Sequence, residues 1–190
     1  MTWTDRAARY AARALMTLGL LALGYAAYVD ADAKAFQAIE QRQFEATATH
    51  SSAVPSFVDG SALGEILIPR LGLKAIIAQG ESPAVLQRAV GHLTGTALPG
   101  ESGNVVLAGH RDTFFRPLKQ VRAGDAITLR THDGEFDYVV ESTTVVTPSD
   151  VWVLEPSDGR TLTLITCFPF SYVGPAPDRF IVRARETKAP

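Results

Sequence analysis

Three side chains able to take part in covalent chemistry lie at the ends of predicted β-strands. Cys167 is the only cysteine of the 190-residue chain and ends the run TLTLITC, His110 follows the run NVVLAG, and Arg179 opens the run RFIVRARE. A free thiol is mostly protonated at neutral pH, because its reference pKa is ~8.5. An imidazole that takes the proton, or a nearby cation that favours the thiolate, would activate it. These residue types therefore suit nucleophilic catalysis by a thiol.

The segment after Cys167 limits how the next strand can return. Pro169 cannot continue a central strand, so the predicted strand ends at Cys167. Only 11 residues, FPFSYVGPAPD, separate the two strand-like runs. A parallel return needs a dozen or more residues and usually a helix, so we expect an antiparallel return. That geometry places Arg179 beside Cys167 if the two strands pair directly.

Each of these residues also has a structural interpretation. A lone cysteine in a β domain is most often an inert core residue. His110 could be a structural residue and Arg179 a solvated residue or an ion-pair partner. The other histidines have other expected roles: His50 lies in a linker, His132 in a turn, and His92 is expected to be a structural hydrogen-bonding residue near the cleft.

Composition narrows the classes of function. The formal net charge is -2 and no Lys- or Arg-rich patch stands out, so nucleic-acid binding is not expected. One cysteine excludes an intrachain disulfide and a multi-thiolate zinc site. We expect neither a metal nor a cofactor.

Short apolar runs separated by turn residues predict an all-β domain from residue 62 onward. Asp133-Gly134 between two runs predicts a hairpin, and only residues 82–90 suggest a short helix. Seven or eight short strands are typical of a barrel or a sandwich. The predicted strands are 65–69, 74–79, 104–109, 126–131, 135–142, 161–167 and 179–186.

The N-terminal part predicts a membrane segment. Residues 14–29 contain no charge, three arginines (Arg6, Arg9 and Arg13) precede them, and aspartates follow them. The positive-inside rule then predicts a cytoplasmic N-terminus and an exported domain. The alternative is a cleaved signal peptide with a small-residue site at residues 31–33.

The predicted organisation has four parts. Residues 1–13 form a cytoplasmic tail, 14–30 a transmembrane signal-anchor, 31–61 a stalk and linker, and 62–190 the folded domain. The stalk favours a helix with apolar residues on one face, and a solvated helix without a partner is equally compatible with it. The small polar residues of 47–62 indicate a linker.

Two stretches resemble the sortase family. Thr163-Leu164-Ile165-Thr166-Cys167 fits the family's TLxTC motif, with a strand-opening arginine 12 residues later. Residues 91–118, GHLTGTALPGESGNVVLAGHRDTFFRPL, are similar to the segment that carries the family's histidine. The resemblance covers about residues 62–186, and the GHRDTFF and CFPF stretches look most like class D sortases.

The resemblance implies a closed β-barrel that acts as a cysteine transpeptidase. Cys167 would attack a sorting-signal peptide, commonly an LPxTG-like motif, and form a thioacyl intermediate that an amine resolves. His110 would act as general acid and base, Arg179 would hold the oxyanion, and Thr166 would line the peptide site. Its implied partners are exported proteins with sorting signals, an amine acceptor in the cell envelope, and the membrane.

Three other interpretations compete with this one. L,D-transpeptidases carry an SHGC-like stretch, which is absent here. NlpC/P60-type peptidases place the cysteine before the histidine on a helix, whereas here His110 comes first and Cys167 ends a strand. The non-enzymatic alternative is a membrane-anchored β-barrel that binds a partner and buries Cys167 as a structural residue.

Overall fold

The computed structural model describes residues 3–47 and 58–188. Its regular elements are one long helix, one short helix and eight strands. They are α1 (Trp3–Thr47), β1 (Ala62–Ile68), β2 (Leu73–Gln79), α2 (Pro83–Arg88), β3 (Val90–His92), β4 (Gly103–Ala108), β5 (Ala126–Thr131), β6 (Gly134–Val146), β7 (Arg160–Phe168) and β8 (Asp178–Lys188). Three short 3₁₀ helices lie at Pro69–Leu71, Arg116–Gln120 and Val151–Leu154.

The eight strands close into a barrel, which confirms the expected fold class. Their order around the barrel is β1-β2-β3-β4-β7-β8-β6-β5, and pairing of β1 with β5 closes it. The pairs β2–β3 and β4–β7 are parallel, and the other neighbours are antiparallel. The strand β3 was not predicted, because three residues are too few to show a periodic pattern.

The barrel interior is filled by alternate residues of the strands. In β7, Leu162 and Leu164 are fully buried in the core, while Ile165 and Cys167 on the opposite face are half-buried. This alternation is the period of two that a strand imposes. Cys167 therefore belongs to the outer face of the barrel wall and not to its core.

The two local predictions from turn and helix signals are confirmed. Strands β5 and β6 form an antiparallel hairpin in which Thr131 pairs with Gly134. Helix α2 lies within the predicted segment 82–90, and Ser82 caps it by accepting a hydrogen bond from the Val85 N–H. Pro83 fits the first turn, where a backbone N–H has no helical partner.

A buried polar network ties the β6–β7 connection to the barrel. The Asn104 amide donates to the carbonyls of Val153 and Glu155, both at 3.1 Å, and its oxygen accepts from the Thr163 hydroxyl at 2.7 Å. Arg183 donates to the same hydroxyl at 3.2 Å. Since these groups lie in β4, β7 and β8, the 3₁₀ helix Val151–Leu154 is held against three strands.

The helix α1 carries the exposed apolar residues of the predicted membrane segment. Within the described residues, one helix, over Ala8–Gln43, is long and apolar enough to cross a membrane. Large side chains such as Leu15 and Leu21 are about 70% exposed. Further along α1, Phe36 packs against a small cluster on β2 and α2, so this part of the helix does have a partner.

Candidate active site

Cys167 and Arg179 are direct partners across two antiparallel strands. The register of β7 and β8 pairs Cys167 with Arg179 and Phe168 with Asp178. Directly paired residues of an antiparallel pair project from the same face, with their Cβ atoms about 5 Å apart. The fold therefore contains the expected antiparallel return. It places the Cys167 thiol and the Arg179 guanidinium on neighbouring strands and on the same face.

The parallel pairing of β4 with β7 places His110 at the same end of the barrel as Cys167. β4 runs parallel to β7 with Ala108 opposite Ile165, and the Gly109 N–H donates to the Ile165 carbonyl at 3.1 Å. Two residues beyond that pair, His110 stands level with Cys167. The structure thus brings together the ends of β4 and β7 and the start of β8, and with them the three predicted residues.

The turn that carries His110 is built around Gly109. A Cβ at this position would lie 2.8 Å from the Phe115 ring, so only glycine lets this buried aromatic pack here. The Phe115 N–H donates to the His110 carbonyl at 3.0 Å. These two contacts fix the backbone on both sides of the imidazole.

Thr166 supports this turn from inside the barrel. Its side chain is 2% exposed, and its hydroxyl donates to the Gly109 carbonyl at 2.7 Å. Its direct effect is therefore on the backbone that carries His110. That Thr166 lines the peptide site stays a prediction.

The three predicted catalytic side chains differ in exposure. His110 is exposed, while Cys167 and Arg179 are half-buried. Arg179 Nη1 donates to the Asp178 carbonyl at 2.9 Å and to the Ala176 carbonyl at 3.3 Å. These two bonds are to neutral carbonyls, so they leave the charge of the guanidinium available to interact with an anion.

Three phenylalanines stiffen the strand ends next to the thiol. The rings of Phe168 and Phe180 stack with centroids 6.1 Å apart, and Phe170 meets Phe180 edge-on at 5.3 Å. Such aromatic pairs add stabilisation beyond the area they bury. Since Phe168 follows Cys167 and Phe180 follows Arg179, the cluster holds the backbone of both residues.

Arg111, which the sequence did not single out, joins the two loops of the site. Its Nη2 donates to the carbonyls of Tyr172 at 2.7 Å and Gly174 at 3.0 Å, and its guanidinium lies 5.9 Å from the centre of the Tyr172 ring. Arg111 follows His110, and the residues it binds belong to the β7–β8 loop. The sequence offered one indication that Arg111 belongs to the site, which is its position immediately after His110. Its bonding partners lie 61 and 63 residues away, so the sequence alone could not identify them.

His92 is a buried residue of the barrel wall. It is 2% exposed, its Nε2 donates to the Ala97 carbonyl at 2.9 Å, and its Nδ1 lies 3.1 Å from the Gln79 side-chain amide. Burial lowers the pKa of the imidazole, and the bond to the Ala97 carbonyl opposes this only in part. His92 is therefore held in its neutral form. His132 lies exposed in the β5–β6 turn, and His50 falls outside the described residues.

One apolar groove is lined by none of His110, Cys167 and Arg179. It has a volume of about 740 Å³, runs between α1 and the barrel, and is lined from the barrel by Gln87, Thr113 and Phe114. Its lining contains neither a cysteine nor a histidine, so we assign the chemistry to the strand ends instead. Within residues 3–47 and 58–188, no group of three or more His, Cys, Asp or Glu residues could hold a metal ion.

The arrangement suits acyl transfer through a thiol. A half-buried sulfur at a strand end can reach a peptide carbonyl on the barrel surface, and a neighbouring imidazole can move a proton. A guanidinium on the same face can stabilise the oxyanion of a tetrahedral intermediate. A binding module with a structural cysteine would bury the thiol, whereas Cys167 is only half-buried.

Comparison with known proteins gives the same family. A family profile for the Sortase domain matches residues 66–187. The chain is 33% identical to Sortase D of Bacillus subtilis over 88% of this chain and 93% of that protein. It is 36% identical to sortase SrtE1 of Streptomyces coelicolor over 86% of this chain and 53% of that protein.

Solved structures agree with the sequence relatives. A Clostridium perfringens Sortase D5 transpeptidase superposes with a TM-score of 0.73 at 29% identity, covering 83% of this chain and 99% of that one. A sortase E from Streptomyces avermitilis superposes with a TM-score of 0.59 at 33% identity, covering 69% and 91%.

Proposed function

The chain belongs to the sortase family of cysteine transpeptidases, and from this premise we propose that Cys167, His110 and Arg179 are its catalytic residues. The Cys167 thiolate attacks the carbonyl of a sorting-signal peptide. The bond to the leaving amine breaks, and a thioacyl-enzyme forms. An amine of the cell envelope then attacks the thioester and restores the thiol, giving a new peptide bond.

His110 serves both half-reactions by moving protons. It protonates the leaving amine in the first step and removes a proton from the incoming amine in the second. The exposure of His110 suits this role, because the leaving amine must depart from the imidazole and the incoming amine must then reach it. If water replaces the amine, the same thioester is hydrolysed slowly.

Arg179 stabilises the oxyanion of each tetrahedral intermediate. The observation that carries the whole proposal is the pairing of Cys167 with Arg179 across β7 and β8, with His110 two residues past the end of β4, which pairs with β7. An oxyanion donor must be in place before charge develops. The carbonyls of Ala176 and Asp178 hold Nη1 and leave Nη2 and Nε for a substrate oxygen.

The proposed substrates are exported proteins that carry an LPxTG-like sorting signal, with an envelope amine as acceptor. The similarity to Sortase D and to a Sortase D5 transpeptidase supports a class D-like enzyme. We propose that α1 anchors the enzyme in the cell membrane with its N-terminus in the cytoplasm. Protease added to intact spheroplasts should then digest the barrel, and full protection would reject this orientation.

The function is tested by mass spectrometry on the purified chain. The enzyme is incubated with a panel of sorting-motif peptides and a small amine, and we expect a ligated peptide and a thioacyl adduct on Cys167. Cys167→Ala should lose both products yet stay folded, because little volume is removed and the stability change should be about 1 kcal/mol. If a folded Cys167→Ala variant still ligates peptides, Cys167 is structural and the proposal fails.

A further inference from the structure

The part of α1 that leaves the membrane is docked on the barrel. Asp32 accepts a hydrogen bond from Arg88 Nε at 2.6 Å. The Gln37 amide donates to the Arg88 carbonyl at 2.7 Å and accepts from the Ile76 N–H at 2.8 Å. Phe36 lies between these two contacts and packs against a cluster formed by Ala78, Val85 and Ala89. The barrel is therefore in direct contact with the part of α1 that follows the membrane segment.

These contacts set the height of the barrel above the membrane. Asp32 lies two residues beyond the segment 14–30, which is about 3 Å along a helix. The side of the barrel bonded to Asp32 therefore lies close to the end of the membrane segment. Thr113 and Phe114 of the barrel line a groove together with Val29 and Asp30, which stand at the end of the apolar segment. The residues that follow His110 therefore lie where α1 leaves the membrane.

The chain at this position is basic. The segment 111–122, RDTFFRPLKQVR, contains four Lys or Arg residues and one Asp. Arg111 is bound to the β7–β8 loop, but Arg116, Lys119 and Arg122 are exposed. Asp125 on the following turn is buried and is paired with Arg70 and, at 3.8 Å, with Arg122, and its bond to Arg70 holds the pKa of the Asp125 carboxyl below its usual value. Arg116 and Lys119 thus form an exposed basic surface that follows Thr113 and Phe114 of the groove along the chain.

We propose that Arg116 and Lys119 form a basic face that binds the anionic phospholipid headgroups of the membrane in which α1 is anchored. Guanidinium and ammonium groups bind phosphate through charge-assisted hydrogen bonds, and anionic leaflets attract basic residues near their surface. The inference rests on the membrane anchor of the proposed function. α1 then holds the barrel at one point and the basic face at a second, which fixes the direction in which the Cys167 cleft opens.

The test compares two lipid surfaces with the full chain in nanodiscs. One set contains phosphatidylcholine alone, and the other contains phosphatidylcholine with phosphatidylglycerol. Amide hydrogen exchange of residues 111–122 should slow at least about fivefold in the anionic discs, since one basic residue near such a surface contributes on that order. Raising the salt concentration should remove the difference.

Two double variants, each of which removes two positive charges, distinguish binding by the basic face from a general effect of net charge. Arg116→Gln with Lys119→Gln should abolish the lipid-dependent slowing. Arg130→Gln with Arg185→Gln, on β5 and β8, should retain it, because these exposed residues are paired with Glu135 and Glu141 on other strands. Equal exchange in both lipids, or equal loss in both variants, would overturn the proposal. So would protection that appears only when an envelope protein is added.

Ligation of a soluble peptide in the same discs separates this proposal from the enzymatic one. If Cys167-dependent ligation is normal while exchange is independent of the lipid, only the lipid-binding face is wrong. If exchange depends on the lipid while no peptide is ligated, the lipid-binding proposal is supported and the proposed enzymatic function is rejected.

Discussion

Two histidines on paired strands of the barrel wall have opposite surroundings. His92 lies within β3 and is 2% exposed, with both ring nitrogens near polar partners. His110 lies two residues beyond the end of β4, which pairs with β3, and is exposed. A position inside a strand allows a network to enclose the ring, whereas a position past its end leaves the ring free to reach a substrate. Location on the strand, and not residue type, separates the structural histidine from the proposed catalytic one.

Of the changes considered, removal of the exposed His110 ring should lower activity the most, in contrast to removal of the His92 ring. We expect His110→Ala to lower kcat/KM about 10³-fold, in the range usual for loss of a general acid and base, while its thermal stability stays near that of the wild type. Steady-state kinetics and thermal unfolding check both parts. An active His110→Ala beside an inactive, folded His92→Ala would mean that the roles of the two histidines are reversed.

Changing the guanidinium opposite the thiol should have the next largest effect. Arg179→Lys keeps the charge but loses the planar fork that can reach an oxyanion with two N–H groups. We expect a loss of about 10²-fold in kcat, the scale found for one oxyanion donor. Single-turnover acylation of Cys167 is the measurement. A wild-type rate would show that only a positive field is needed at this position.

A smaller effect is expected where the two loops of the cleft are joined. Arg111→Ala removes the bonds to the Tyr172 and Gly174 carbonyls, so the β7–β8 loop should loosen. Charge-assisted hydrogen bonds of this kind suggest a rise in KM of about tenfold with kcat within about twofold. The control is Arg130→Ala on β5, an exposed arginine whose partner is Glu135 on β6. A fall in kcat without a rise in KM would contradict a positioning role.

The buried histidine should matter least for catalysis and most for stability. We expect His92→Ala to keep activity within about threefold when folded, and to lose about 2 kcal/mol of unfolding free energy because buried hydrogen bonds are removed. Its pKa in the fold is lowered, so its contribution is present above the unfolded value of 6.5 and is lost as the pH falls below it. Denaturant unfolding between pH 8 and pH 5, at roughly the range of histidine titration, should show the gap between wild type and variant closing in acid. A gap that widens in acid would contradict a neutral His92.

Local chemistry in the sequence was enough to predict much of this molecule. Turn residues and alternating apolar residues indicated the strands. The short connection after Cys167 favoured an antiparallel return, which predicted that Arg179 lies near Cys167 if the two strands pair directly, and the structure contains that pairing. The family resemblance indicated the closed barrel. The membrane segment followed from an uncharged run flanked by arginines and aspartates, and its orientation stays a prediction.

Only the tertiary structure determined the contacts between distant segments. Residues in β4 and β7 pair although they lie 57 positions apart, and this pairing brings His110 level with Cys167. The bonds of Arg111 to the β7–β8 loop and of Gln37 to β2 span 61 and 39 positions. Periodicity and turn signals act over a few residues, because they come from backbone geometry and local side-chain sterics. Which strands become neighbours depends on how the whole core closes, so the complete site and the docked helix emerge only in the folded chain.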